Sequence, residues 1–189
     1  MQDDQDLVTR AQKHDEEAFA QLYEKYFEQI YRYILLKMGD SHEAEDLTQQ
    51  VFLKVLKSID SFKWKENIPF LAWLYRIAHN QTVDYLRKKS RQSTGPLEEA
   101  DLSAEEFGSN PQEAAEVSYD MDRLSAATMK LTSAQREVIA LRFTSELPIA
   151  EVSRIMGKSE GAVKALQHSA ILALRRIMKV GVKVKADEQ

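Results

Sequence analysis

The run Pro148-Ile-Ala-Glu-Val-Ser-Arg-Ile-Met-Gly-Lys-Ser-Glu-Gly-Ala-Val-Lys-Ala-Leu-Gln-His168 constrains this chain more than any other. Ile149, Val152, Ile155 and Met156 recur at the spacing of a short amphipathic helix, and Gly157 follows where a left-handed terminator is wanted. Ser159 is a candidate N-cap for a second helix with an inner stripe of Val163, Leu166, Ala170, Leu174 and Ile177. Two helices joined by a tight glycine turn make a helix-turn-helix, whose second helix enters the DNA major groove with its first turns. On that geometry the residues facing away from the stripe are the candidate base and phosphate contacts: Ser159, Glu160, Lys164, Ala165 and His168. A glycine-linked hairpin is equally at home in an all-helical core, so this stretch alone leaves DNA binding and a structural hairpin both open.

Charge divides along the chain in a way that bears on this choice. The net charge is −4, but residues 1–92 carry 14 basic against 15 acidic side chains, residues 93–132 carry 2 against 9, and residues 133–189 carry 10 against 6. The three segments therefore stand at −1, −7 and +4. The helix-turn-helix end is basic, as phosphate contact requires, and the acid is gathered in the middle. A chain of 189 residues has room for one domain or two small ones. It has no cysteine, which fits a reducing compartment, and no apolar run approaches membrane-spanning length. Its acidic start is unlike a signal peptide, so a cytoplasmic chain without membrane insertion is expected.

Upstream, residues 4–13 read as a short helix. A longer one starts at Asp15, with Phe19, Leu22, Tyr23, Tyr26, Ile30 and Ile34 on one face, and ends near Met38 and Gly39. Ser41 opens a third helix, running from Ala44 to about Lys57, with Ala44, Leu47, Val51 and Val55 inward. Its opposite strip carries Asp46, Gln49 and Leu53, and an apolar residue among polar ones suggests a docking face. The competing reading is a central helix buried on both sides, given the crowding of Phe52, Leu53 and Leu56.

The loop that follows alternates lysine with an aromatic. Lys63, Trp64 and Lys65 are placed to hold a phosphate backbone and stack an unpaired base, although Trp64 would equally serve as a lid on the core. Pro69 begins a helix to about Lys89 with Phe70, Leu74, Ile77 and Ala78 inward. Arg76, His79, Asn80, Val83 and Arg87 project on its other side, where His79 is expected to be solvated or DNA-facing. Residues 92–112 are acidic and turn-rich and read as a linker. Helix returns at about 113–129, and Thr132 with Gln135 forms a capping-box start for a helix from Ala134 to Phe143. No phosphate-cradling glycine loop, metal-ligand spacing, nucleophile elbow or triad is present. Catalysis has no foothold, and neither cofactor nor metal is expected.

Three segments together resemble the sigma-70 family of bacterial RNA polymerase initiation factors, in particular its small extracytoplasmic-function (ECF) group. Ala44-Glu-Asp-Leu-Thr-Gln-Gln-Val-Phe-Leu-Lys54 resembles the polymerase-docking helix of region 2. Phe70-Leu-Ala-Trp-Leu-Tyr-Arg-Ile-Ala-His-Asn80 with Asp84-Tyr-Leu-Arg87 resembles its promoter-melting helix, and Leu131 to Ile177 resembles region 4.

The resemblance implies an all-α chain of two small helical domains: region 2 over residues 1–91, a linker over 92–112, region 4 over 113–180 and a tail over 181–189. It implies that Asp46, Gln49, Gln50 and Leu53 bind core RNA polymerase. Lys63, Trp64, Lys65, Asn67, Arg76, His79, Asn80 and Arg87 would capture an unpaired base of the −10 element. The −35 duplex would be read by Ser159, Glu160, Lys164, Ala165 and His168, with Arg175 and Arg176 nearer the backbone. An anti-sigma factor is a possible further partner.

Departures stand out as well. Gln50 replaces a frequent acid, Leu74 stands where housekeeping members carry a second tryptophan, and Ala165, Leu166 and Ser169 fall where many relatives place Ser or Arg. Reading of the −35 element then leans on DNA shape. Two other classes remain: a dimeric operator-binding regulator, which leaves residues 41–91 unexplained, and a pure interaction module.

Overall fold

In a computed structural model, residues 2–64, 69–92 and 126–186 are described, and all regular structure among them is helical. The elements are α1 (Gln2–Ala11), α2 (Glu16–Met38), α3 (Ser41–Ser58), a 3-10 turn (Ile59–Ser61), α4 (Phe70–Gln92), α5 (Ser133–Ile139), α6 (Ile149–Met156) and α7 (Glu160–Ala186). A helical turn at 126–129 precedes α5.

Local chemistry sets most of the boundaries. Asp15 caps α2, accepting from the Ala18 N–H at 3.1 Å while Arg10 Nε donates to its other oxygen at 2.9 Å. Gly39 ends α2 at φ 76, its N–H donating to Leu35 O at 2.8 Å. A Cβ there would also meet Met129 Cε at 2.9 Å, so the end of that flexible side chain would have to move aside. The cap of α3 is Asp40 rather than Ser41, accepting from the Glu43 N–H at 2.8 Å, so α3 starts a turn earlier than the apolar pattern indicates.

α1 to α4 close around an aromatic-rich core. Ala44, Leu47, Val51 and Val55 of α3 are all buried, as is Phe52 beneath the Tyr23 and Phe27 rings. Phe70 sits among the rings of Tyr26, Phe62 and Trp73. On α4 the buried side is Phe70, Ala72, Leu74, Tyr75, Ala78 and Thr82, with Ile77 at its margin. The C-terminal module is built on lighter residues: Leu131, Val138, Ile139, Leu141, Leu147, Val152, Ile155, Val163 and Ala170.

Thr132 and Gln135 form the expected reciprocal capping box. The helix they start turns to π form over Ala140–Thr144 rather than running regularly to Phe143. Gly157 takes the left-handed conformation that ends α6, at φ 62. Beyond it α7 continues through Ala186, so most of the stretch expected as a tail is helix.

The two modules are packed together. α5 lies against α2, and α6 against α4, burying Lys37 and Glu137 where they meet. This seam sets how the two modules sit together, which the sequence left open. Of the linker expected over residues 92–112, Gln92 ends α4, while residues 93–112 and most of the helix expected at 113–129 lie outside the described residues.

Candidate functional site

α7 offers the most open face. Ser159 Oγ accepts from the Ala162 N–H at 3.2 Å, which starts the helix at the position expected from sequence. Val163 and Ala170 are fully buried and Leu166, Leu174 and Ile177 half-buried, so the helix is pinned on one side. Gln135 Nε2 donates to Ser169 Oγ at 2.6 Å and Arg142 Nε to Gln167 Oε1 at 3.3 Å, which sets its rotation. Ser159, Glu160, Lys164, Ala165, His168, Arg175 and Arg176 are all exposed.

At about 100° per residue, Glu160, Lys164, His168 and Arg175 fall within a sector of about 80°. Gly161 lies beside that sector and a Cβ there would meet nothing within 4 Å, so the backbone itself is open to close approach. Sequence reading passed over this glycine, although its place in the first turn after a cap was the available signal.

On α4, Arg76, Asn80 and Arg87 are exposed and share one strip with half-buried Val83 and, at its N-terminal end, half-buried Trp73. Asp84 lies 3.3 Å from Arg87. His79 departs from expectation. It is turned away from solvent, with its Nδ1 2.9 Å from Glu137 Oε1 and its side chain only 19% exposed. Periodicity placed His79 on the polar side correctly but could not show that a carboxylate 58 residues further on would face it.

Trp64 is a partial lid. Its ring stands edge-on to Phe62, centroids 5.0 Å apart, while 37% of the residue stays open. Gln12 Nε2 donates to Ile59 O at 2.9 Å and Phe62 O at 2.8 Å, anchoring the base of that loop. Lys63 is exposed, and Lys65 and Asn67 lie outside the described residues.

α3 carries the third face. Asp46, Gln49, Gln50 and Leu53 are exposed on one strip, so this helix is not buried on both sides. Leu53 and Leu56 are 56% and 50% exposed and line an open groove of about 250 Å3 with Phe19, Tyr23, Gln49 and Phe52. Phe19 and Tyr23 come from α2, where spacing puts them on one face with Leu22 and Tyr26. That they reach across to form a groove wall is a consequence of helix packing alone. Among the described residues no cluster of three or more His, Asp or Glu is placed to hold a metal ion.

The segments that carry these faces match known sequence families. Residues 22–92 match sigma-70 region 2 and residues 129–176 match sigma-70 region 4. The chain is 33% identical over 177 residues to the ECF RNA polymerase sigma factor SigW of Bacillus subtilis, covering 89% of this chain and 93% of that one.

The chain belongs to the ECF RNA polymerase sigma factors.

As a member of that group it is a promoter-directing transcription initiation factor. It is also 38% identical over 176 residues to the ECF sigma factor BldN of Streptomyces coelicolor, covering 92% of this chain and 65% of that longer one. Its fold resembles that of CnrH, solved with the cytosolic domain of CnrY, at TM-score 0.68 and 22% identity over 94% of this chain and 98% of that one. The structure of the sigma factor RpoE with the anti-sigma factor NepR, from Bartonella quintana, matches at TM-score 0.69 and 24% identity over 86% of this chain and 97% of that one.

Proposed function

We propose that this sigma factor seats core RNA polymerase in the groove between α2 and α3 and directs it to promoters with two separate DNA-facing surfaces. The carrying observation is the exposed apolar groove at Leu53 and Leu56, on a helix whose opposite side is fully buried. Among the described residues no packing need accounts for two open leucines among Asp46, Gln49 and Gln50. Polymerase contact by those residues, with Phe19 and Tyr23 as the far wall, removes this apolar surface from water.

The strip of Arg76, Asn80 and Arg87, with Trp73 and the loop bearing Lys63, Trp64, Lys65 and Asn67, takes the unpaired −10 bases. An aromatic face and hydrogen-bonding groups repay the stacking lost when a base leaves the duplex. His79 joins this surface only if it leaves Glu137. On α7, Lys164 and His168 reach toward base edges of the −35 duplex while Arg175 and Arg176 meet phosphate. Ser159, Glu160 and Ala165 shape the approach of the first turns, and with few donors in this set, the −35 element is read largely by shape.

The division into residues 1–91, 92–112, 113–180 and 181–189 follows this allocation of work. Action in the cytoplasm accords with it, and no described helix is long and apolar enough to cross a membrane. An anti-sigma factor is a further candidate partner on the family resemblance.

The test is a mobility shift on promoter duplex. The purified chain alone should give no shift and the chain with core polymerase a specific one. Gln49→Ala with Leu53→Ala should abolish polymerase binding. A chain that shifts the duplex unaided and ignores polymerase is instead an operator-binding regulator.

A further inference from the structure

Glu137 is a carboxylate 6% exposed at its side chain, and the function proposed above gives it no work. It projects from α5 of the C-terminal module, yet its partners belong to the N-terminal one. Tyr33 Oη donates to its Oε1 at 2.6 Å, His79 Nδ1 lies 2.9 Å from the same oxygen, and its Oε2 pairs with Lys37 Nζ. Lys37 is itself only 4% exposed and its ammonium donates to Tyr33 Oη at 3.3 Å. Next door, Arg136 Nη1 donates to the Lys37 carbonyl at 3.0 Å, and its other donors hold the carbonyls of Thr128, Met129 and Leu131. The bonds of Glu137 to Tyr33, His79 and Lys37, and of Arg136 to the Lys37 carbonyl, join α5 to α2 and α4, so they exist only while the modules are together.

A buried ion pair is a poor glue but a sharp switch. Taking both charges out of water costs nearly what their attraction returns, whereas removing one partner leaves the other stranded in a dry interface. Closure is therefore favourable with the cluster complete and unfavourable with any charge missing. The cluster also occupies His79, one residue from Asn80 on the −10 surface, and brings α6 onto α4.

The closed form is too short for the work assigned to it. Elements named −35 and −10 lie about 25 base pairs apart, or about 85 Å along B-form duplex. A compact chain of this length measures about 40 Å across.

We propose that Lys37, Glu137, His79 and Tyr33 form a latch that holds this sigma factor in a closed state unable to span a promoter, and that seating on core polymerase draws the modules apart and opens it. The polymerase half of this statement rests on the docking reading above. Polymerase binds the open form preferentially, so the latch lowers apparent affinity by the fraction of chains that are closed, and releasing it raises affinity.

The absence of cysteine makes the test clean, because two introduced cysteines take a fluorophore pair without competition. Arg32 and Lys130 are exposed and stand outside every face assigned above, on opposite modules. In the otherwise unaltered chain, R32C with K130C should give high transfer efficiency that falls on adding core polymerase. Glu137→Gln should lower it at least twofold without polymerase, and Lys37→Met, which strands the charge on the other module, should do the same. Replacing both charges by apolar residues, Lys37→Met with Glu137→Leu, should restore it.

Circular dichroism identifies any variant that loses helix. If Glu137→Gln does, Lys37→Met and the double replacement carry the decision. Apparent affinity for core polymerase should rise about tenfold in Glu137→Gln. Folded single variants with unchanged transfer, or low transfer in the chain with Lys37 and Glu137 intact, overturn the latch. Failure of every variant to bind polymerase overturns the docking reading instead, while the transfer measurements still decide the latch.

Discussion

The two helices assigned to DNA are held in opposite ways. α4 is walled in by α2 and α3 and, from the other module, by α6, with six residues from Phe70 to Thr82 buried, and it leaves one narrow strip open. α7 is pinned mainly through Val163 and Ala170, and most of its residues from Glu160 to Lys179 are exposed. The contrast matches the two kinds of reading proposed for them. A pocket for single bases needs side chains whose positions are locked by a dense core, whereas a duplex can be met by a helix aimed by its caps and a few contacts.

The largest expected effect tests that contrast in the cores. Phe70→Ala removes a ring packed against those of Tyr26, Phe62 and Trp73 and should cost about 3–5 kcal/mol in urea unfolding. Leu174→Ala on half-buried α7 should cost under about 1.5 kcal/mol. Equal losses would erase the distinction between a locked and a hung helix.

Next in size is the seam that joins them. Burial alone would raise the Glu137 pKa, but the bond to His79 and the charge of Lys37 outweigh it and hold the carboxyl at about 2, against an ordinary 4.5. Burial draws the Lys37 pKa down, and Glu137 offsets part of that. Tyr33 also faces the carboxylate, and Arg136 lies beside Lys37.

A carboxylate with a depressed pKa stabilises the folded state above its unfolded value and loses that contribution as pH falls through the folded one. The unaltered chain should thus lose on the order of 3 kcal/mol of stability between about pH 5 and pH 2 through this group. Glu137→Gln, which resembles the protonated acid, should be less stable than the unaltered chain at pH 6 and indistinguishable from it near pH 2. A gap that persists at pH 2 would mean that shape rather than charge joins α5 to α2 and α4.

Lys164→Ala should weaken promoter binding by the polymerase complex by about 1–3 kcal/mol if the ammonium reads a base, with relaxed sequence preference at one position. A smaller, sequence-independent loss with a shallower salt slope assigns it to phosphate. Smallest, Gly157→Ala should cost about 1 kcal/mol in thermal unfolding of the C-terminal module. The added Cβ meets nothing within 4 Å, so the penalty is the left-handed backbone alone. A loss much above 2 kcal/mol would show that the turn does more than aim α7.

Much of this molecule was legible before any coordinates. Asp15, Thr132, Ser159 and the two left-handed glycines announced their helix ends, because capping is settled within four residues of sequence. The inward stripes of α3 and α7 followed from three- and four-residue spacing. So did the three outward faces, with Leu53 on one, Asn80 on another and Lys164 on the third.

What sequence could not supply were relations between elements. Phe19 and Tyr23 form a groove wall only because α2 crosses beside α3, and His79 turns inward only because Glu137 arrives from α5. Helical periodicity carries information a turn or two along the chain. The pairing of Lys37 with Glu137 depends on how separate helices stack, and on a desolvation cost that exists only once they have done so.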